Sequence, residues 1–135
     1  MDLTKAMAVS ASGLRVQGDR MRVIAENIAN SDSTAPGDGE PYRRKVVTFK
    51  NELDRELGVE LVAVDRYLID ASPFGKKYDP GHPYADGDGF VRTSNVEGLI
   101  EVMDMREAQR TYEANLNMIS VTKQMLQATI NLLKN

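Results

Sequence analysis

Apolar residues gather in two long stripes at the two ends of the chain. In the first, Leu3, Met7, Ser10, Leu14, Gln17, Met21, Ile24 and Ile28 step by four and three, and most of them are apolar. That rhythm lays a stripe along one side of a helix that packs on another helix. Gly13 and Gly18 fall inside it, each costing about 1 kcal/mol against Ala, so the helix depends on packing. In the second stripe, Val102, Met105, Gln109, Tyr112, Leu116, Ile119, Lys123, Leu126, Ile130 and Leu133 keep the same steps, with no Gly or Pro from Leu99 onward. Ser94 and Glu97 have capping-box spacing just ahead of it. At roughly 1.5 Å per residue the helices are about 40 and about 55 Å long.

Between the stripes the pattern changes. Residues 31–41, SDSTAPGDGEP, are turn formers that end the first helix. Residues 42–50, YRRKVVTFK, and 59–66, VELVAVDR, predict two strands. The stretch 51–58 between them reads as a helical turn or a loop. Residues 67–89 are mostly turns, with a short strand near 76–78, and 89–93 predict a last strand.

The pattern therefore predicts a mainly α chain. Long N- and C-terminal heptad helices form an α-helical coiled-coil hairpin, with a small β-rich insert between them. One structural unit is expected: an N-terminal helix over 1–30, an insert with loops over 31–94, and a C-terminal helix over 95–135. The hairpin either satisfies itself or serves as an assembly element. The longer second helix favours assembly, because Ile130 and Leu133 stay apolar beyond the reach of the first. Gln17, Gln109 and Lys123 read as margins of the stripes or as residues that fix register.

Composition narrows the function. The length of 135 residues suits one modest domain. A net charge of −3 leaves no basic footprint for nucleic acid. No apolar run is long enough to span a bilayer, and the N-terminus lacks the basic start and apolar block of a conventional signal peptide. There is no Cys, hence no thiolate chemistry. His82, the only His, stands among turn residues in DPGHP without the partners that catalysis or metal binding needs. Asp86 and Asp88 in YADGDG look like a fragment of a calcium loop, but the later ligands are missing, and a turn between strands is the better reading. No phosphate-binding loop, dinucleotide fingerprint, nucleophile elbow or zinc pattern occurs. We expect no catalytic, cofactor or metal site. The basic run Tyr42, Arg43, Arg44 and Lys45 reads as an exposed strand end that meets carboxylates of a neighbouring subunit.

Specific stretches carry a resemblance. SASGL (10–14), ENIANSDST (26–34, with Asn27, Ala29 and Asn30) and YRRKVV (42–47, with Tyr42, Arg43 and Arg44) resemble the N-terminal region of bacterial flagellar rod and hook axial proteins. KYDPGHPYAD (77–86, with Tyr78, Asp79, Pro80, His82 and Pro83) and RTYEANLNMISVTKQM (110–125, with Tyr112, Glu113, Ala114 and Asn115) extend it over nearly the whole chain. YRRK together with YDPGHPYAD resembles a proximal-rod member of that family rather than its relative FlgB.

The resemblance implies a structural subunit exported through the flagellar type III apparatus without a cleaved signal. It would assemble helically into the rod that crosses the periplasm, and transmit torque from the motor to the hook and filament. Implied partners are other copies of the chain and the rod proteins FlgB, FlgF, FlgG and FliE. The terminal helices would form an inner tube, with the insert facing outward and ENIANSDST as the hand-over between them. The expected assembly contacts are Leu3, Met7, Leu14, Met21, Ile24 and Ile28 from one end. From the other come Val102, Met105, Tyr112, Leu116, Ile119, Leu126, Ile130 and Leu133. The glycines and the unpartnered C-terminus suggest termini that order on assembly. A stand-alone coiled-coil adaptor or export-chaperone-like module is the alternative.

Overall fold

The computed structural model describes residues 2–36 and 38–135. Its elements run α1 (Leu3–Ala29), β1 (Lys45–Asp54), β2 (Val59–Ile69), β3 (Gly75–Tyr78), β4 (Phe90–Thr93) and α2 (Gly98–Lys134). β1 and β2 form one antiparallel sheet, and β3 and β4 form another.

α1 starts where the Asp2 carboxylate accepts a hydrogen bond from the Thr4 N–H, filling one of the free donors of a helix N-terminus. It stops at Asn30, whose side-chain amide donates to the Glu26 carbonyl at 2.8 Å and closes the last turn. The polar run after Ile28 ends the helix by offering the backbone side-chain partners.

β1 and β2 pair over their full length, from Lys45 opposite Ile69 to Asp54 opposite Val59. The stretch 51–54 is thus strand, not a helical turn or loop: its charged residues show no alternation, yet 59–62 supply the ladder partners. The tip is sealed by Asp54, whose carboxylate accepts from Glu56 and Leu57 N–H, and by Gly58 at φ +66°, a left-handed conformation glycine adopts without strain. Thr48 faces Arg66 but Phe49 faces Val64, so Asp65 is the extra residue of a bulge that bends the hairpin and increases its twist.

α1 lies against both β1 and β2 and also carries α2, which touches no other helix or strand among the described residues. The buried apolar residues are few: Val16, Val23, Ile24, Val91, Val96 and Ala108. One strut to the sheet is polar, with Ser12 Oγ accepting from the Val62 N–H at 3.2 Å. The Asp86 carboxylate accepts from Asp88 and Phe90 N–H in the turn before β4, so YADGDG is a turn. No group of carboxylates and imidazoles among the described residues is arranged to hold a metal ion, and no described helix is long and apolar enough to cross a membrane.

The expected coiled-coil hairpin is not what forms. Two helices and two small antiparallel sheets share the chain, and the helices meet along a line that takes in only part of each predicted stripe. Asn27 bonds to Glu101, and Gly13 lies so close to Asn115 that a Cβ there would stand 2.8 Å from its Nδ2. These two meeting points are two heptads apart on each helix. The residues buried on α2 are Glu101, Ala108 and Thr122, which share their heptad position with Asn115. The deepest part of the contact is therefore small and polar, one residue before Val102, Gln109, Leu116 and Lys123, with Met105, Tyr112, Ile119 and Leu126 half-buried beside it. A coiled coil needs apolar knobs at those positions. The expected capping box is also absent: Ser94 Oγ accepts from the Val96 N–H, and Glu97 precedes α2 without a side-chain cap.

Candidate assembly site

Two features mark the helix pair: a buried polar joint at one end, and an apolar side that the described residues cover only in part.

The joint is built where α1 hands over to β1. Asn27, 1% exposed, points its amide at the backbone of Lys45. Its Nδ2 donates to the Lys45 carbonyl at 2.9 Å and its Oδ1 accepts from the Lys45 N–H at 2.9 Å. The same Oδ1 accepts from the Tyr42 hydroxyl at 2.8 Å, and Nδ2 reaches Glu101 Oε2 at 3.2 Å. An Asn in this pose acts as a short piece of strand, satisfying both backbone groups of one residue. Asn95 ties three backbone groups together on the other side. It accepts from the Arg44 N–H at 2.7 Å and donates to the carbonyls of Asp70 and Ser72 at 3.0 and 3.1 Å.

Arg44 crosses the middle. Its Nε donates to Glu101, and its Nη atoms reach Asp104 at 3.3 Å and Asp70 at 3.6 Å. Burial works against the guanidinium's charge, but the bond to Glu101 and the nearby carboxylates outweigh it, so Arg44 is held more firmly protonated than usual. Glu101 is fully buried, and a buried carboxylate persists only when paired and hydrogen-bonded. The basic run therefore meets carboxylates of its own chain. Arg44 takes Glu101, Asp104 and Asp70; Arg43 pairs with Glu40 and lies 4.2 Å from the Phe74 ring centroid; Lys45 pairs with Glu26 at 3.5 Å.

Tyr42 titrates upward from its ordinary value, first because burial disfavours the phenolate and then because Glu26 and Glu101 repel it. A phenol whose folded pKa exceeds its unfolded one favours folding fully below the unfolded value. That contribution is lost as pH rises through the folded one. Stability should therefore fall above about pH 10, where free tyrosine ionises. Tyr42→Phe should flatten that alkaline fall while costing about 0.5–1.5 kcal/mol at neutral pH for the lost bond to Asn27. Urea titrations of both chains at neutral and alkaline pH check this.

The apolar side follows from the contact line. Half of each predicted stripe (Met7, Leu14, Met21 and Ile28; Val102, Leu116 and Ile130) lies one residue past that line, a rotation of about 100°, while the rest, such as Ile24, Met105 and Tyr112, lies within about 40° of it. Because the helices are antiparallel, both rotations carry the rotated halves to the same side of the pair. Of the expected contacts only Ile24 is buried. Leu3, Met7, Leu14, Met21, Met105, Tyr112, Ile119 and Leu126 are half-buried, and Ile28, Val102, Leu116, Ile130 and Leu133 are exposed. Leu116 is 50% and Leu133 83% exposed. Everything from Gln127 onward is exposed.

The motif residues divide. Asn27, Tyr42 and Arg44 form the joint with Glu101, and Asn30 closes α1, with Ala29 exposed beside it. Tyr78, Asp79, Pro80, His82 and Pro83 shape the loop between β3 and β4. The Tyr78 ring sits edge-on to Phe90 at 5.3 Å, and His82 Nδ1 accepts from the Tyr84 N–H. Gly89, at φ +86°, passes so close to Tyr78 and Pro80 that a Cβ would stand 2.9 Å from the tyrosine ring. Glu113 and Ala114 are exposed on α2, while Tyr112 borders the contact line and Asn115 lies on it. Sequence reasoning missed Glu101, Asp104, Asp70 and Asn95. The available signal was the lone acid inside GLIEV, which no amphipathic pattern explains.

Known proteins bear on the assignment. Residues 88–132 match the family described as flagellar basal body rod FlgEFG protein C-terminal. The chain is similar to the flagellar basal-body rod protein FlgC of Agrobacterium fabrum, 50% identical over 98% of this chain and 96% of that one. It is 39% identical to the protein of that name from Aquifex aeolicus, over 96% of each. The Salmonella typhimurium counterpart is 33% identical over 98% of each. On that agreement, nearly end to end, the chain belongs to the FlgC family of flagellar basal-body rod proteins, structural components of the flagellum.

Proposed function

We propose that the chain polymerises, through the apolar side of its helix pair, into the proximal rod, and that this rod passes torque from the motor to the hook. The observation that carries the reading is the apolar side of the helix pair, where Ile28, Val102, Leu116, Ile130 and Leu133 stay exposed and only Ile24 of the predicted contacts is fully buried. Each Leu or Ile taken out of water contributes roughly 1.5–3 kcal/mol relative to exposure. Several per contact outweigh the cost of ordering two subunits. Interdigitated side chains at core density also resist sliding, as a shaft under torque requires.

The partners we assign are copies of the chain and the rod proteins FlgB, FlgF, FlgG and FliE. The terminal helices line the inner part of the rod, 31–94 faces outward, and the subunit reaches the periplasm through the flagellar type III apparatus without a cleaved signal. It carries no catalytic role. Head-to-tail contacts that do not close give a helical array.

Sedimentation velocity of the purified chain across a concentration range, beside circular dichroism, tests the assembly. Open-ended species that grow with concentration, with helicity rising alongside, are expected. A small closed oligomer of constant size would instead favour a stand-alone binding module.

A further inference from the structure

We infer that the buried joint of Asn27, Arg44 and Glu101 sets the register of α1 against α2, and thereby decides whether the two apolar stripes align. The contact line itself supplies little register information. Gly13 faces Asn115, and the buried α2 residues Ala108 and Thr122 stand seven residues to either side of Asn115. A slip of one heptad, about 10 Å, brings Gly13 opposite Ala108 or Thr122, both small enough to face it. Close packing discriminates registers only where large knobs enter defined holes. The ion pair of Arg20 with Glu107, at 3.5 Å, adds little because the Glu107 side chain is 67% exposed.

The joint discriminates strongly. Any slip takes a fully buried carboxylate away from the Arg44 guanidinium and the Asn27 amide; the slip toward Thr122 leaves it with no cation opposite, and the slip toward Ala108 leaves it only Arg20, drawn from Glu107. An uncompensated buried charge is among the costliest defects a fold can hold. Buried ion pairs add little net stability compared with apolar residues of similar volume, and selecting one register is their best-attested use. This goes beyond the assembly reading: it names the residues that align the apolar side, and its test reads register alone.

The chain has no cysteine, so engineered pairs report without background. Gly13→Cys with Asn115→Cys reports the native register, the residues being close enough for a disulfide. Gly13→Cys with Ala108→Cys, or with Thr122→Cys, each carrying Asn115→Ala so that the new Cβ does not press on the Asn115 amide, reports a slip of one heptad. In the otherwise native chain only the 13–115 pair should cross-link. With Asn27→Leu, Arg44→Met and Glu101→Leu added, the chain should keep its helicity, and cross-linking should spread to the 13–108 and 13–122 pairs. Cross-linking confined to 13–115 in that background would overturn the inference and leave the small-residue line as the register determinant. If the triple replacement loses helicity, Arg44→Gln with Glu101→Gln carries the same comparison, because it removes the charges, keeps hydrogen-bonding groups at both positions and preserves the size of the buried residue at 101. The same two outcomes then decide.

Discussion

Arg44→Ala is expected to destabilise the chain by about 3–5 kcal/mol, the range for removing one partner of a buried ion pair. The loss strands Glu101, which has no exposed surface, with only the Asn27 amide beside it. It also removes the cation facing Asp104 and Asp70. Set against a total of about 7–20 kcal/mol for a chain of this length, the change consumes much of the margin. Arg44→Met combined with Glu101→Met should cost far less, since no charge is left buried without a partner. Urea unfolding followed by circular dichroism reads both as shifts of the midpoint at constant slope. Arg66→Ala is the control, because that side chain is 73% exposed and pairs only with neighbouring Asp65. If Arg44→Ala falls within about 0.5 kcal/mol of that control, as surface changes do, the joint is not a buried ion pair in energetic terms.

The elements were legible because each has a local signature. Steps of three and four gave both helices to within three residues, and the apolar alternation of 59–66 with the turn residues around it gave the sheets. The charged run 51–54 was missed as strand because ladder pairing with 59–62 is a long-range fact. The same limit explains the wrong coiled coil. A seven-residue stripe says that a helix has an apolar side, not what covers it. The contact line is marked by Gly13, Ala108, Asn115 and Thr122, which carry too little hydrophobicity to register as a pattern. Asn27 read as part of the hand-over at the end of a helix and Glu101 drew no reading, although each is the other's partner across 74 positions.

Leu116→Asp is expected to abolish incorporation into the rod. Leu116 is half-exposed on the apolar side of the isolated chain, so the fold accommodates a carboxylate there while it can reach water. An assembled contact would bury it. Losing the apolar contribution and desolvating an unpaired charge together cost several kcal/mol per contact, and each 1.4 kcal/mol is tenfold in association. A polymer repeats that loss at every subunit. Asn117→Asp, one residue on and also exposed but on the polar outer side of α2, should leave incorporation unchanged. The most direct test is therefore the amount of Leu116→Asp subunit in isolated basal bodies, compared with the amount secreted and with the Asn117→Asp control. The assembly account predicts normal secretion and no Leu116→Asp subunit in the rod. Normal incorporation with normal motility would contradict it, and the apolar side would then have to face something other than its neighbours in the rod.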